Sequence, residues 1–274
     1  MPSERISRKM GICGATLLAV LMLVGVLAPW ISPHDPYRGD LSRRLEPPSR
    51  SYPLGTDALG RCVASRLLHA TGTSLGAALA ASATAFLLGA AAGISAALAP
   101  PGLAALLATL IDAALAMPAL LLAVVLAGLM NPSLSSTVFA LALVGWPWWA
   151  RWLRAMTRQA RRREFVTAAE ALGLGGGRIL SHYLLPQIAP AAAVAFAVRT
   201  GTMLVAVSGL SYLGLGAQPP QPEWGRMLEE SRLYLGRAPW LLIAPAAAVS
   251  LCAASCQMIA ESLRQRVPPG GRRA

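Results

Sequence analysis

The chain has 274 residues, of which 55% are hydrophobic and only 13% are charged. Soluble domains carry about 25% charged residues, and apolar blocks of about 20 residues recur along this chain, so the composition excludes an ordinary soluble protein and indicates several membrane-spanning helices. The net charge of +12 would suggest nucleic-acid binding in a soluble protein. Here the basic residues lie mainly at the ends of apolar blocks, so we expect membrane lipid and no nucleic acid as a partner.

The first apolar run, from about Gly11 to Ile31, follows a short basic segment. Such a beginning resembles a signal peptide, but the run is long for one and no A-x-A cleavage site follows it. We therefore predict an uncleaved transmembrane helix within residues 1–31, entered from the cytoplasm. Residues 32–72 are polar and proline-rich, and we predict a loop on the opposite side with a short surface helix from Val63 to Leu68.

Five further transmembrane spans are predicted along the rest of the chain. The second span is dense in Ala, Gly and Ser, small residues that allow membrane helices to approach closely. The third contains Asp112 and Pro118, and three tryptophans at the end of the fourth are typical of a membrane–water boundary. The predicted spans are 73–98, 103–129, 134–149, 189–213 and 239–259.

The distribution of basic residues predicts the orientation in the membrane. With six spans, both termini and residues 151–186 lie on one side, which carries 14 basic residues against four acids. The two larger loops of the other side carry nine basic residues against seven acids. Since basic residues mark the cytoplasmic side of membrane proteins, we expect both termini and residues 151–186 to be cytoplasmic.

The charge-dense stretch Arg151–Pro186 contains seven arginines. For the arginines up to Arg163 alone, binding of lipid headgroups is the better interpretation. Helical spacing predicts a short helix from Glu164 to Leu172, which Gly173 ends. Its apolar face is small, which suits a groove on a soluble partner better than a membrane surface. The residues of that face are Phe165, Ala168, Ala169 and Leu172.

The sequence contains no recognisable catalytic constellation. A GxxxxGK[ST] phosphate loop is absent, so we do not expect this chain to hydrolyse ATP. HExxH is absent, the three histidines are widely spaced and the four cysteines lack zinc-site spacing, so we expect no bound metal. A standalone channel or a membrane-embedded enzyme remains the alternative function, but it would need paired catalytic groups or conduction without an ATPase.

Two ionisable residues, Asp112 and Arg199, lie about ten residues inside predicted spans. Charged groups within a bilayer are costly and usually face the bundle interior or a water-filled path, so both are candidate pathway residues. The alternatives are a mutual ion pair and positions near the headgroups. Lys, Glu, Asp and His relays are otherwise missing from the spans, which argues against a proton-driven carrier.

Residues 166–186 resemble the cytoplasmic coupling signature of ABC importer permeases, E-A-A-three residues-G-nine residues-I-x-L-P. The spacing fits throughout, but a threonine occupies the Glu position and a tyrosine occupies the Ile position. The nearest acid, Glu170, lies three residues after that threonine. The matched positions are Thr167, Ala168, Ala169, Gly173, Tyr183, Leu185 and Pro186.

Two further blocks resemble the same family. Residues 55–61 look like its periplasmic GTD-x-LGRD segment, with Cys62 where an Asp is usual, and residues 210–228 resemble its SFLGLG…PP-x-P-x-WG-x-ML block. This combination resembles the C-type permease of the dipeptide/oligopeptide/nickel importers over about residues 15–268. The candidate residues of the periplasmic segment are Gly55, Thr56, Asp57, Gly60 and Arg61.

The resemblance implies an all-α integral membrane protein of the bacterial inner membrane, with six transmembrane helices and the type I ABC importer permease fold. Its five-helix core would occupy residues 73–268, with a coupling segment at 160–186 and a cytoplasmic tail at 269–274. The implied partners are a second homologous permease, two ABC ATPase subunits and a solute-binding protein.

ATP and Mg²⁺ would be used by those ATPases and not bound by this chain. Within the resemblance, Ala168, Ala169 and Gly173 would contact the ATPase, and Pro186 would end the coupling segment before the fifth span. The substrate would be a dipeptide, a longer peptide, nickel or a metal chelate.

Overall fold

The structure is a computed structural model that describes the backbone of residues 2–266 and the side chains of residues 9–265, so the predicted tail 269–274 lies outside the described residues. Within the described part the regular structure is helical, apart from an isolated antiparallel bridge between Thr56 and Cys62. The predicted all-α class is confirmed. The helices are α1 (Pro2–Ile31), α2 (Val63–Leu98), α3 (Pro101–Leu115), α4 (Ala119–Leu129), α5 (Leu134–Arg161), α6 (Glu164–Ala171), α7 (Gly176–Ile179), α8 (Leu185–Tyr212), α9 (Trp224–Ser231) and α10 (Trp240–Arg266).

Several of these helices are long and apolar enough to cross a membrane. Four described segments meet both criteria: Lys9–Ile31, Val63–Leu98, Gly176–Tyr212 and Trp240–Gln265. The pair α3 and α4 would make a fifth span if its two bent halves cross together. α5 is not in this set, and its second half carries the arginine run. The structure therefore supports four or five spans by these criteria and does not establish the predicted six.

The predicted third span, 103–129, is two helices and not one. α3 and α4 are bent by 82° relative to each other across a short break. Pro118 is the N-cap of α4, with extended backbone angles. A proline lacks the N–H that an interior helical position needs, and its ring clashes with the preceding turn. The sequence contained this signal, but prolines also lie inside α5, α8 and α10 without ending them, so proline alone did not predict the break.

Two other helices are longer than the sequence predicted. The separate surface helix expected at Val63–Leu68 is the first part of α2, which runs without interruption to Leu98. α5 continues past the predicted end of the fourth span as far as Arg161, so the first arginines of the charged stretch are helical.

The helices pack around the pair formed by α2 and α5. α1 lies against α10 and α2, α8 lies against α10 and α2, and α3 and α4 flank α5. A Cβ atom at Gly93 of α2 would collide with the carbonyl oxygen of Ala150 on α5, so only glycine allows this approach. The predicted small-residue packing of the second span is therefore the basis of the central helix pair.

The loop that joins α1 to α2 packs onto the end of the bundle. Leu45 from this loop and Val63 at the start of α2 share an apolar cluster with Trp224, Met227 and Leu241. The loop, α9 and the first turn of α10 consequently form one folded layer at this end, opposite the end at which α6 lies.

Candidate coupling segment and pathway residues

The predicted coupling helix is α6, which spans Glu164–Ala171 and so agrees with the sequence prediction to within one residue. Gly173 follows it with φ of +76°, in the left-handed region that favours glycine. The Gly173 N–H bonds to the Glu170 carbonyl at 3.0 Å and the Leu174 N–H bonds to the Ala169 carbonyl at 3.2 Å. This pair of hydrogen bonds is a Schellman closure, so Gly173 ends α6 for a geometric reason.

α6 buries one face in its own chain and leaves the other exposed. Val166 and Ala169, three residues apart on one helix face, are both buried, and Val166 belongs to a core that includes Leu184. Phe165 is 47% exposed and Leu172 is 81% exposed. Ala169 therefore faces its own chain, and its expected contact with a partner stays a prediction.

The remaining positions of the coupling motif are exposed, apart from the half-buried Tyr183. Thr167 and Ala168 are exposed on α6, as are Gly173 after it and Leu185 and Pro186 at the start of α8. Val166, which sequence reasoning did not assign, is the main anchor. Val166 is apolar and lies three residues before Ala169, so helical spacing places both on one face. This spacing was the signal that could have identified Val166 as a buried residue.

Glu170 makes an intramolecular ion pair. Its Oε1 atom accepts a hydrogen bond from Arg161 Nε at 2.8 Å, which ties α6 to the end of α5. The Thr167 hydroxyl donates to the Arg163 carbonyl at 3.4 Å within its own turn. Glu170 therefore joins two helices and does not replace the acid that Thr167 lacks.

Tyr183, the second unusual position, links α6 to the helix that follows. Its ring is stacked with that of Phe165, with ring centroids 6.4 Å apart and an interplanar angle of 27°. An isoleucine at this position could not form an aromatic pair. The two departures from the family signature thus have different consequences, since Tyr183 gains a contact and Thr167 makes only a local one.

Pro186 does not end a helix. The chain is helical from Gly176 to Tyr212, and residues 180–184 form a π-helical turn just before α8. The Leu185 N–H bonds to the Leu180 carbonyl in this wider turn. Because Pro186 has no N–H to donate and its ring crowds the preceding turn, the π turn allows the helix to continue. The expectation that Pro186 separates the coupling segment from the fifth span is wrong.

The GTD segment forms a closely bonded turn at the opposite end of the bundle. Thr56 is buried, and its hydroxyl donates to the Arg43 carbonyl and accepts the Glu46 N–H at 2.8 Å. Gly55 and Gly60 have φ of +72° and +71°. A side chain at Gly60 would in addition collide with the backbone of Asp40, so this turn requires glycine.

Asp57 is the centre of a buried ion cluster. Its Oδ2 atom lies 2.7 Å from Arg61 Nε and 2.6 Å from Arg66 Nη1. Glu230 on α9 completes the cluster, since its Oε2 atom lies 2.6 Å from Arg66 Nη1 and 3.2 Å from Arg61 Nη2. Sequence reasoning predicted Asp57 and Arg61 but missed Arg66 and Glu230, which come close only when α9 folds onto the start of α2. The paired charges explain how Arg66 is 2% exposed.

Asp112 and Arg199 are not brought together. Asp112 Oδ1 lies 4.0 Å from Arg151 Nη1, and both of these side chains are mostly exposed. Arg199 lies on the aromatic face of Trp148, with 3.8 Å between Cζ and the ring centroid. The mutual ion pair considered from the sequence is therefore not formed. Among the described residues, no group of three His, Cys, Asp or Glu side chains is arranged to hold a metal ion.

Comparison with known families covers most of the chain. Residues 73–268 match the family described as "binding-protein-dependent transport system inner membrane component". Residues 6–48 match a second family, described as "N-terminal TM domain of oligopeptide transport permease C". The second match includes most of α1 and part of the loop that follows it.

Individual relatives align over nearly their whole length. The nickel transport system permease protein NikC of Escherichia coli (strain K12) is 32% identical, over 92% of this chain and 91% of its own. The dipeptide transport system permease protein DppC of Alkalihalophilus pseudofirmus is 32% identical, over 95% of this chain and 86% of its own. The glutathione transport system permease protein GsiD of Escherichia coli O1:K1 is 31% identical, over 95% of this chain and 86% of its own.

Proposed function

The chain belongs to the family of inner-membrane components of binding-protein-dependent transport systems, and from this premise we propose how it couples transport to ATP. It is a multi-pass permease of an ABC importer, and α6 is its contact with a partner ATPase. The exposed side chains Phe165, Ala168 and Leu172 form the surface that an ATPase groove receives. Gly173 and Thr167 lie beside that surface.

The observation that carries this proposal is that α6 is exposed on one face and firmly attached on the other. Val166 anchors it in the core, Glu170 joins it to α5, and the stack of Phe165 with Tyr183 joins it to the turn that leads into α8. A force applied to the exposed face is therefore transmitted to two long helices at once. Such an arrangement suits a part that a partner moves, in a chain without its own phosphate loop.

The partners of the complete importer follow from the same premise. We infer a second homologous permease that forms the other half of the pathway, two ABC ATPase subunits that bind ATP and Mg²⁺, and a solute-binding protein. The excess of basic residues in 151–186 and at the termini supports a cytoplasmic position for both termini and α6. The loop between α1 and α2 then faces the solute-binding protein.

The cargo that we propose is a peptide, nickel or a metal chelate, because the relatives are named for transport of nickel, dipeptides and glutathione. Since the described residues hold no metal-ligating cluster, a metal would pass as a loosely held or chelated species. Identification of the ligand of the cognate solute-binding protein decides among these cargoes.

The test of the coupling role is Gly173→Asp in the complete importer, reconstituted in lipid vesicles. A Cβ atom at this position would meet no atom within 4 Å, so the side chain points to open space where a partner would lie. We expect ATP-driven uptake of the cargo to fall by at least about tenfold while membrane insertion is retained, because the substitution places a charge at the docking surface.

Gly173→Asn is the matched control. Asparagine tolerates the left-handed backbone at least as well as aspartate and has almost the same size, but it carries no charge. We expect it to retain most of the uptake. Normal uptake by the Gly173→Asp importer would count against the docking of α6 on an ATPase.

A further inference from the structure

Arg199 and Trp148 form the floor of an open groove between α8 and α5. The groove has a volume of about 380 Å³ and is lined by Trp148, Ala195, Val198, Arg199 and Thr202. Arg199 is its charged residue, and the Arg199 guanidinium lies 3.8 Å from the centroid of the Trp148 ring. The contact is close enough for a cation–π interaction that fixes the position of the guanidinium.

This groove lies near the middle of α5 and α8. Arg199 precedes the end of α8 at Tyr212 by 13 residues, and Trp148 follows the start of α5 at Leu134 by 14. With a rise of 1.5 Å per residue, each residue is about 20 Å from the helix ends opposite the coupling segment. The hydrocarbon core of a bilayer is about 30 Å thick, so helices that begin at one edge of the core would hold the guanidinium inside it, about 10 Å from the cytoplasmic edge, where the tryptophan cluster is expected.

Arg199, like the half-buried Arg154 and unlike the buried Arg61 and Arg66, has no acidic neighbour in the described part of the chain. Among the side chains of residues 9–265, no carboxylate lies within 4.0 Å of it. Arg61 and Arg66, by contrast, each contact two carboxylates. An arginine without a counter-charge is costly inside a membrane unless it faces water or an anion. The groove therefore has a positive charge that no carboxylate among the described side chains neutralises.

The chemistry of the pair selects the kind of ligand. The aromatic ring compensates part of the positive charge but offers no lone pair, so the N–H groups of Arg199 keep their capacity to donate hydrogen bonds. A guanidinium binds carboxylates in a bidentate manner, with two parallel N–H···O bonds. A carboxylate that enters the groove would thus meet a donor group already held in place.

We propose that Arg199, positioned by Trp148, binds the carboxylate of the cargo as it moves along the pathway. The cargo would accordingly belong to the carboxylate-bearing members of the proposed substrate range, namely peptides with a free C-terminus or metal ions chelated by amino or organic acids. This inference rests on the proposed function. It assigns to α8 and α5 a step of cargo selection in addition to the one made by the solute-binding protein.

The first test measures whether the groove attracts anions from water. In the complete importer, Thr202→Cys provides a thiol beside Arg199, and the chain without this substitution gives the background from Cys13. The probes are a negatively charged sulfonatoethyl and a positively charged trimethylammonium-ethyl methanethiosulfonate. We expect the anionic reagent to label Thr202→Cys faster than the cationic reagent. Arg199→Gln should lower the ratio of anionic to cationic labelling rates by at least about tenfold, because it removes a positive charge close to the thiol in a site of low polarity.

The second test identifies the source of the anion. Alanyl-alanine, with a free carboxylate, is expected to slow the labelling of Thr202→Cys, whereas its C-terminal amide is not. Vesicles of phosphatidylcholine alone and vesicles enriched in phosphatidylglycerol are expected to give the same rates. A dependence on the anionic lipid and not on the dipeptide would show that Arg199 binds a headgroup, which would overturn the proposal.

Two results would overturn it directly. One is the absence of Thr202→Cys labelling in the nucleotide-free and ATP-bound importer, which would place the groove against lipid or a partner subunit. The other is a labelling ratio that Arg199→Gln leaves unchanged. Neither result bears on the coupling role of α6, because Gly173→Asp tests that role by ATP-driven uptake.

Discussion

The Ser74 hydroxyl donates a hydrogen bond to Glu223 Oε1 at 3.0 Å, although 149 residues separate the two along the chain. The same hydroxyl accepts the Trp224 N–H at 3.0 Å, and Glu223 Oε2 accepts the Arg226 N–H at 2.9 Å. Glu223 is thus the N-cap of α9 and also its attachment to α2. One buried carboxylate therefore fixes the position of the helix that supplies Glu230 to the ion cluster around Asp57.

We expect Glu223→Ala to lower the stability of the purified protein by about 1–3 kcal/mol, because the Ser74 hydroxyl and the Arg226 N–H lose a buried partner. Thermal unfolding in detergent measures this change. Glu223→Gln is the control, since its amide oxygen can still cap α9, and it should lose less than Glu223→Ala. Equal melting temperatures for Glu223→Ala and the parent would show that this contact does not hold α9 in place.

Arg66→Leu should be among the most damaging substitutions on this side of the molecule. It leaves the buried Asp57 with Arg61 as its main partner and removes one of the cations that face Glu230. The loss of one partner of a buried ion pair costs about 3–5 kcal/mol. We expect a strongly reduced yield of folded protein, measured by detergent extraction and size-exclusion chromatography.

Arg43→Leu is the matched control for Arg66→Leu. Arg43 lies 3.9 Å from Asp40 in an exposed pair within the same loop. Exposed pairs contribute about 0–1 kcal/mol, so the yield should remain close to that of the parent. A similar loss for both variants would mean that the loop is sensitive to any loss of charge and that burial is not the cause.

The closeness of α2 and α5 predicts opposite effects for two glycines of one helix. Gly93→Ala places a methyl group against the backbone of Ala150, whereas a methyl group at Gly76 meets nothing within 4 Å. Overpacking costs about 1–3 kcal/mol, while Gly→Ala at an open helical position stabilises by about 0.5–1 kcal/mol. Melting temperatures should therefore fall for Gly93→Ala and rise or stay constant for Gly76→Ala. A fall for both would argue against a specific contact at Gly93.

The stack of Phe165 with Tyr183 predicts a measurable coupling between the coupling helix and the helix that follows. A double-mutant cycle with Phe165→Leu and Tyr183→Leu should give a coupling free energy of about 0.5–1.5 kcal/mol. Tyr183→Phe keeps the ring and should leave stability and uptake per ATP unchanged. Additive effects of the two leucine substitutions would show that the rings contribute independently.

Local signals in the sequence were sufficient for several features. Long apolar runs predicted a membrane protein, because no soluble fold buries so many consecutive apolar residues. Helical spacing and Gly173 predicted α6 to within one residue, since the end of a helix at a left-handed glycine is a local event. Motif spacing alone also indicated the permease family, which the family match over residues 73–268 confirmed.

What only the tertiary structure decided depends on contacts between distant parts of the chain. The burial of Val166, the partnership of Arg66 with Glu230 and the position of Arg199 on Trp148 each involve a neighbour on another helix. The sequence determined that Arg151–Pro186 is charged, that its middle forms a short helix and that Asp112 and Arg199 are costly in a membrane. It could not determine which side chains compensate that cost, because helix packing selects the neighbours and the one-dimensional pattern specifies only which faces are apolar.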